Sequence, residues 1–229
     1  MRGARIAYGD RLVARDLALE FPAGRTTCLL GRSGVGKTSL LRWLAGLLPD
    51  TTRAQPVAYM AQSDLLLPWL SVLDNVLLGY RLRGGGAALR AAEPRARALL
   101  AEVGLASRLD DRPSRLSGGM RQRTALARTL CEDRPVVLMD EPFAHLDAVT
   151  RLELQDLAAR LLAGRTAVLV THDPLEALRI GHQVRVLSGA PFTAGPVIEP
   201  AGAVPRDPAD PALLALHARL VAELRGLAA

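Results

Sequence analysis

Gly31-Arg32-Ser33-Gly34-Val35-Gly36-Lys37-Thr38-Ser39 is a glycine-rich loop that ends in Lys-Thr. The apolar run Thr27-Cys28-Leu29-Leu30 enters it as a short buried strand, and Leu40, Leu41, Trp43, Leu44 and Leu47 leave it at helical spacing. Strand, loop and helix in this order turn successive backbone N–H groups into one hollow, where the positive end of the helix dipole also points. Such a hollow binds phosphate. Lys37 would reach the β- and γ-phosphates of a nucleotide, the Thr38 hydroxyl would hold Mg²⁺, and Ser39 would help with the inner phosphates. Composition supports the same reading. Lysine and arginine total 29, yet Lys37 is the single lysine. The chain uses arginine wherever a positive charge is merely wanted, and places a compact ammonium on a flexible stem where it must fit between phosphates.

At 229 residues and 49% hydrophobic content the chain can bury a large core as one domain, with room for a smaller lobe. The net charge of +6 is spread over arginines that never form a dense run, so nucleic acid is not the expected partner. Cys28 falls in the expected buried strand and Cys131 near a helix end, which argues against a disulfide and for a reducing compartment. No apolar stretch reaches the ~18–20 residues of a membrane span, so a membrane role must act through a partner.

Arg5 to Phe21 alternates loosely and reads as strands of an antiparallel flank, with Tyr8 either an adenine-stacking ring or a packed edge aromatic. After the first helix, Val57 to Ala61 forms a second short strand that ends at Gln62. In open α/β sheets ligands sit at the carboxyl ends of strands, so Gln62 reaches the phosphate rim, where a neutral amide can bind Mg²⁺ or the attacking water. Asp64 to Leu73 is unusually apolar for a stretch broken by Pro68; a run of leucines is usually core, but after Gln62 it also reads as a docking surface anchored by Leu66, Leu67 and Trp69. Residues 75–112 read as helical, with Gly84-Gly85-Gly86 as a joint and a helix over Arg95 to Val103.

Ser117 is a natural N-cap, and Gly118 and Gly119 open a second phosphate-binding helix start before the helical pattern Arg121 to Cys131. The run Val136-Val137-Leu138-Met139 is a strand buried on both faces, and it delivers Asp140 to hold Mg²⁺ and Glu141 to polarise water. A further strand, Thr166 to Thr171, ends at His172, which shares the rim with Lys37, Gln62 and Asp140 and is expected at a γ-phosphate. From Gly189 the prolines predict a loop, and Leu213, Leu216, Leu220 and Leu224 predict a terminal amphipathic helix over Ala212 to Leu227.

These residues resemble the ATP-binding subunit of an ABC transporter over nearly the whole chain. The matching motifs are the Walker A loop at 31–38, the Q-loop Gln62, the signature Leu116 to Met120, Walker B at 136–140 followed by Glu141, the D-loop His145-Leu146-Asp147, and the switch His172. The resemblance implies a P-loop NTPase α/β fold with a mainly parallel sheet, an antiparallel β-flank and a helical subdomain near 75–118. The whole chain would then be a single ATP-binding domain that ends in a Pro/Gly-rich loop and helix over about 190–229.

The resemblance also implies ATP and Mg²⁺ as cofactors, contacts to the nucleotide from Tyr8, Gly31, Ser33, Gly34, Gly36, Lys37, Thr38 and Ser39, and metal ligands Thr38, Gln62 and Asp140. It implies catalysis by Glu141, His172, Lys37 and Gln62. A head-to-tail homodimer would present Ser117, Gly118, Gly119 and Asp147 of one subunit to the nucleotide of the other. Motion would pass to a permease docked near Gln62 to Leu73, served by a periplasmic or lipid-anchored solute-binding protein, at the cytoplasmic face of the inner membrane.

The wording Met60-Ala61-Gln62-Ser63-Asp64, Leu67-Pro68-Trp69 and Thr171-His172-Asp173-Pro174-Leu175-Glu176-Ala177 looks like the bacterial nitrate/sulfonate/taurine importer group. The short Walker A to Q-loop spacing and Leu187-Ser188-Gly189 lean toward subunits serving pyrimidine thiamine precursors such as hydroxymethylpyrimidine. The signature departs from the usual pattern in having Met120 in place of Gln, which should leave the Ser117, Gly118 and Gly119 contacts intact. The short segment after Lys37 implies a reduced β-flank. Soluble ABC ATPases that act on nucleic acid or ribosomes share the motifs, and stand as the alternative.

Overall fold

The computed structural model describes residues 4–8, 11–48 and 56–226. In chain order these form β1 (Ala4–Tyr8), β2 (Arg11–Leu17), β3 (Thr26–Leu30), α1 (Lys37–Leu44), β4 (Val57–Met60), α2 (Val72–Val76), α3 (Leu78–Leu82) and α4 (Gly86–Glu102). There follow α5 (Gly118–Cys131), β5 (Val136–Asp140), α6 (Ala148–Leu161), β6 (Thr166–Thr171), α7 (Pro174–Ile180), β7 (Gln183–Gly189), β8 (Phe192–Ala194) and α8 (Pro211–Gly226). The strands lie in the order β1-β2-β8-β7-β3-β6-β5-β4. The run β7-β3-β6-β5-β4 is parallel throughout, while β1 pairs antiparallel with β2 and β8 antiparallel with β7. This is the α/β architecture expected, a mainly parallel sheet with an antiparallel flank.

β3, β5 and β6 are buried along almost their whole length because both sheet faces are covered, which is why their sequences read as unbroken apolar runs. On one face α1 packs Leu40 and Leu41 with Ile6, Leu17, Leu29, Val168 and Phe192. On the other, α5 supplies Leu126 and Leu130 to a larger core that reaches α4 through Ala96 and Leu100, and α8 through Leu213 and Leu220. Each such fully buried leucine contributes about 1.5–3 kcal/mol by leaving water. Both cysteines are free and buried.

Three expectations change. The segment from Gly189 is not all loop: Phe192–Ala194 forms β8, and Ile198 bridges to Val184. Pro191 and Pro196 flank this strand instead of interrupting it, so no ladder N–H is lost, and fully buried Phe192 anchors it. The helix expected over Arg95 to Val103 begins already at Gly86 and runs through Pro94. Pro94 removes one helical N–H, but the buried stripe Ala92, Ala96, Leu99 and Leu100 holds the helix together across it. The joint before it is formed as read, with Gly84, Gly85 and Gly86 all at positive φ (116°, 59° and 63°).

The third change concerns Asp64 to Leu73, which is not uniformly a surface. Leu66, Val72 and Leu73 are buried, while Leu65 and Trp69 are 61% and 66% exposed. Leu65 sits at φ 48°, and this turn sends Leu65 outward and Leu66 inward. The buried Asn75 fixes the loop: its Oδ1 accepts from Leu67 N (2.7 Å), and its Nδ2 donates to the carbonyls of Leu67, Leu70 and Ser71. Between α1 and β4 the described residues hold no strand, and residues 49–55 lie outside the described residues. The terminal helix spans Pro211–Gly226, with Pro211 at its start where a missing N–H costs nothing.

Candidate active site at the strand ends

The loop after β3 curls because Gly34 and Gly36 adopt positive φ (83° and 118°), which opens α1 at Lys37. Gly36 is also sterically required. A Cβ there would stand 2.5 Å from Val13 Cγ1 and 3.2 Å from the Phe192 ring, so the β2 and β8 flank backs the loop. Gly31 donates its N–H to the Thr171 carbonyl (3.3 Å), and a Cβ on it would lie 2.9 Å from the Leu187 carbonyl oxygen. Ser33, Gly34, Gly36, Lys37, Thr38 and Ser39, together with Gln62 and Glu141, enclose a cavity of about 300 Å³.

Lys37 is 5% exposed and donates to the carbonyls of Gly31 (2.7 Å) and Arg32 (3.1 Å). Its ammonium lies 3.5 Å from Glu141 Oε1, and burial pulls its pKa down against the opposing pull of the Glu141 and Asp140 charges. Asp140 is buried at the end of β5, and burial pushes its carboxyl up. Thr38 Oγ1 donates to Asp140 Oδ1 and Tyr59 OH to Oδ2, each at 3.1 Å. Burial first, and then the Asp140 charge, raises the Tyr59 phenol to about 12, so it remains a donor.

Glu141 is the hub. Its backbone sits at φ 43°, a strained conformation for a residue with a Cβ, and is held by its N–H donating to the Val170 carbonyl (2.9 Å). The strained turn puts its carboxylate next to three residues expected on the same rim: Lys37 at 3.5 Å, Gln62 Nε2 donating at 3.4 Å, and His172 Nδ1 at 3.0 Å. The sequence reading had Lys37 and Glu141 in separate tasks; here they pair with each other. Phosphate oxygens entering the loop would exchange with Glu141 for the ammonium.

The donor set suits Mg²⁺. A buried carboxylate, a hydroxyl bonded to it and a neutral amide are hard oxygen ligands for an octahedral ion that keeps some of its waters. Among the described residues no group of three or more His, Cys, Asp or Glu could hold a metal alone, so phosphate oxygens and water would complete the shell.

Ser117 caps α5, its Oγ accepting from Met120 N (3.2 Å), so the Met120 departure leaves this helix start formed. A Cβ on Gly119 would stand 2.6 Å from Thr150 Cγ2 on α6. Neither Ser117, Gly118 nor Gly119 lines the phosphate cavity, so one chain does not bring them to Lys37. Asp147 is also outside that lining. It caps α6 by accepting from Thr150 N (3.0 Å), and this backbone bond holds its carboxyl below the usual range. Tyr8 belongs to β1, but its side chain lies outside the described residues.

Four contributors were not read from the sequence. Tyr59 is an aromatic in an apolar strand, and only its hydroxyl hints at Asp140. Gln122 in α5 donates to the Pro142 carbonyl beside Glu141. Arg121 and Arg128, also on α5, hold the loop after Gln62 by bonds to Asp64 Oδ2 (3.1 Å) and the Leu65 carbonyl (2.8 Å).

The family described as ABC transporter matches residues 14–144. The chain belongs to the ABC transporter family. It is an ATPase of that family. An aliphatic sulfonates import ATP-binding protein, SsuB 2 of Burkholderia cenocepacia, is 41% identical over 235 residues, covering 96% of this chain and 85% of that protein. SsuB 1 of Rhizobium johnstonii is also 41% identical, over 241 residues, covering 99% of this chain and 86% of that protein. Among solved structures, a dimeric bacterial ABC transporter cassette superposes with a TM-score of 0.73 at 26% identity, covering 88% of this chain and 98% of the other. These relatives place the ABC protein in the sulfonate/nitrate importer group.

Proposed function

We propose that this chain is the ATP-hydrolysing subunit of a bacterial solute importer, working as a homodimer beneath a permease at the cytoplasmic face of the inner membrane, with an aliphatic sulfonate as the solute. The observation that carries the hydrolytic part is the convergence of Lys37, Gln62 and His172 on the one carboxylate of Glu141. In this reading Lys37 and the N–H groups of the Ser33 to Ser39 loop bind the β- and γ-phosphates, and Thr38, Gln62 and Asp140 hold Mg²⁺. When bound, Mg²⁺ would neutralise charge on the phosphate oxygens. Glu141 accepts a proton from the attacking water, Gln62 orients that water, and His172 contacts the γ-phosphate while holding Glu141 in place.

The separation of Ser117, Gly118, Gly119 and Asp147 from Lys37 within one chain supports a head-to-tail dimer in which they face the partner's nucleotide. Tyr8 is proposed to stack on adenine. The exposed Leu65 and Trp69 offer the permease an anchor, and Arg121 and Arg128 tie that loop to helix α5, whose start would face the other nucleotide. No helix among the described residues is long and apolar enough to cross a membrane, which suits a subunit acting through a permease.

The names of the relatives favour an aliphatic sulfonate, a class that includes taurine, over nitrate or a pyrimidine thiamine precursor. The test is ATP turnover by the chain assembled with its permease and solute-binding protein. Stimulation by a short alkanesulfonate and not by hydroxymethylpyrimidine supports the reading. Stimulation by hydroxymethylpyrimidine alone overturns the solute, and turnover indifferent to the permease but stimulated by nucleic acid overturns the transport role.

A further inference from the structure

A second cavity of about 300 Å³ lies beside the first and shares Ser33, Gln62 and Glu141 with it. Its remaining walls include Arg151 of α6, Thr171 and His172 at the end of β6, and Asp173 and Glu176 at the start of α7. Glu176 is only 5% exposed. Its backbone N–H donates to Asp173 Oδ1 (3.3 Å), which fixes the root of the side chain, and Thr171 lines the same cavity. The carboxyl oxygen Oε1 is buried without a partner, and so is Arg151 Nε. Of the four such buried atoms among the described residues, two therefore belong to residues lining this one cavity. Polar, roomy and provided with an orphan acceptor and an orphan donor, it suits ordered water.

The charged and titratable groups around Glu176 are Glu141 at the end of β5, Arg151 on α6, His172 and Asp173 in the turn before α7, His145 in the turn after β5, and the Cys28 thiol on β3. Glu141 and Asp173 oppose a further anion. Arg151 favours one, but its guanidinium is already engaged by the Leu146 carbonyl (2.8 Å) and lies 3.8 Å from Asp173. A bare carboxyl oxygen among these neighbours is best tolerated when the group is uncharged.

We propose that Glu176 is an uncharged carboxylic acid that positions the Glu141–His172 pair through the water of this cavity, and that loss of its proton to solvent shuts hydrolysis down. It is a positioning residue, since it touches neither phosphate loop nor nucleotide. The proposal rests on the reading of Glu141 as the hydrolytic base. A second carboxylate beside Glu141 would turn the cavity water and the His172 ring toward itself and add repulsion to an incoming γ-phosphate.

The experiment follows ATP turnover by the assembled transporter as pH is raised from neutrality through about 8, where burial, ahead of every other influence, sets the Glu176 proton. Wild-type turnover should fall roughly tenfold per pH unit above that point, as for loss of one essential proton. Glu176→Gln, which keeps the shape and the neutral charge, should hydrolyse ATP within about twofold of wild type at neutral pH and lose the alkaline decline. A decline that persists in Glu176→Gln overturns the proposal. Infrared difference spectra of the purified chain give a second arm: a protonated-carboxyl carbonyl band at neutral pH, absent from Glu176→Gln, supports it, and identical spectra overturn it. Absence of turnover from the wild type would instead defeat the functional reading, and the infrared arm would still decide the state of Glu176.

Discussion

Replacing Gly36 by alanine tests whether the phosphate loop is shaped by its own backbone or also by the flank behind it. At φ 118° an alanine is strained by about 1–3 kcal/mol. Its Cβ would also press to 2.5 Å from Val13 Cγ1 and 3.2 Å from Phe192, both buried side chains with nowhere to go, and such overpacking costs about 1–3 kcal/mol more. Gly34 is the internal control. It has φ 83° but no heavy atom within 4 Å of its would-be Cβ, so Gly34→Ala carries only the backbone strain. Gly36→Ala should therefore melt roughly 2–12 °C below Gly34→Ala, using about 2–4 °C per kcal/mol for a chain of this size. It should also bind an ATP analogue more weakly, because relief of the clash moves the loop. Adding Val13→Ala should recover part of the loss, so that the double variant is less unstable than the sum of the singles. Equal melting of the two glycine variants, or strict additivity with Val13→Ala, would refute the claim that β2 and β8 hold the loop in shape.

Other outcomes follow from the same geometry. Lys37→Arg keeps the charge, but a planar guanidinium cannot take the place of an ammonium 2.7 Å from the Gly31 carbonyl, so nucleotide binding or turnover measured by titration and phosphate release should collapse; near-normal activity would contradict it. Trp69→Ala, at a residue that is 66% exposed, should lose only about 1–2 kcal/mol in the isolated chain, yet co-purify poorly with the permease. Leu66→Ala, at a buried position, should cost about 2–5 kcal/mol in the isolated chain, and the reverse ranking of the two would show that the loop was misassigned. Glu176 holds its proton up to about 8 when folded and releases it in the ordinary carboxylate range when unfolded. Its raised value means that stability is fully present in acid and is lost as pH rises through about 8, so Glu176→Gln should melt above wild type in alkali and alongside it below the carboxylate range; parallel melting curves at every pH would contradict this.

The arrangement of the candidate site was legible in the sequence where residue types recur at fixed spacing. The loop from Gly31 to Ser39 and the strand ends at Gln62, Asp140, Glu141 and His172 fall that way, because a parallel sheet delivers all its carboxyl ends to one rim. What escaped was set by long-range partners. β7 is broken in sequence by Gln183 and Arg185; it is a strand because it pairs with β3 and β8, and Gln183 and Arg185 are accommodated there by donating to Thr27 Oγ1 (2.7 Å) and the Gly195 carbonyl (2.9 Å). β8 was hidden by its flanking prolines, and the inward Leu66 by a positive φ at its neighbour Leu65, which no local pattern specifies. Glu176 reads in sequence as an ordinary helix carboxylate, and only the packing of α7 against β3, β6 and α6 removes it from bulk solvent. The loss of separation between Lys37 and Glu141 likewise depends on the left-handed turn at Glu141.

The central claim is that Glu141 is the base around which the site is built, and the most direct measurement of it is single-turnover ATP hydrolysis by Glu141→Gln in the assembled transporter. The amide keeps the size and a hydrogen-bonding oxygen beside Gln62 and His172, but cannot take a proton from water. The account predicts unchanged ATP affinity, a turnover lower by about 10²–10⁴-fold and ATP-bound dimers that persist; turnover equal to wild type would contradict it.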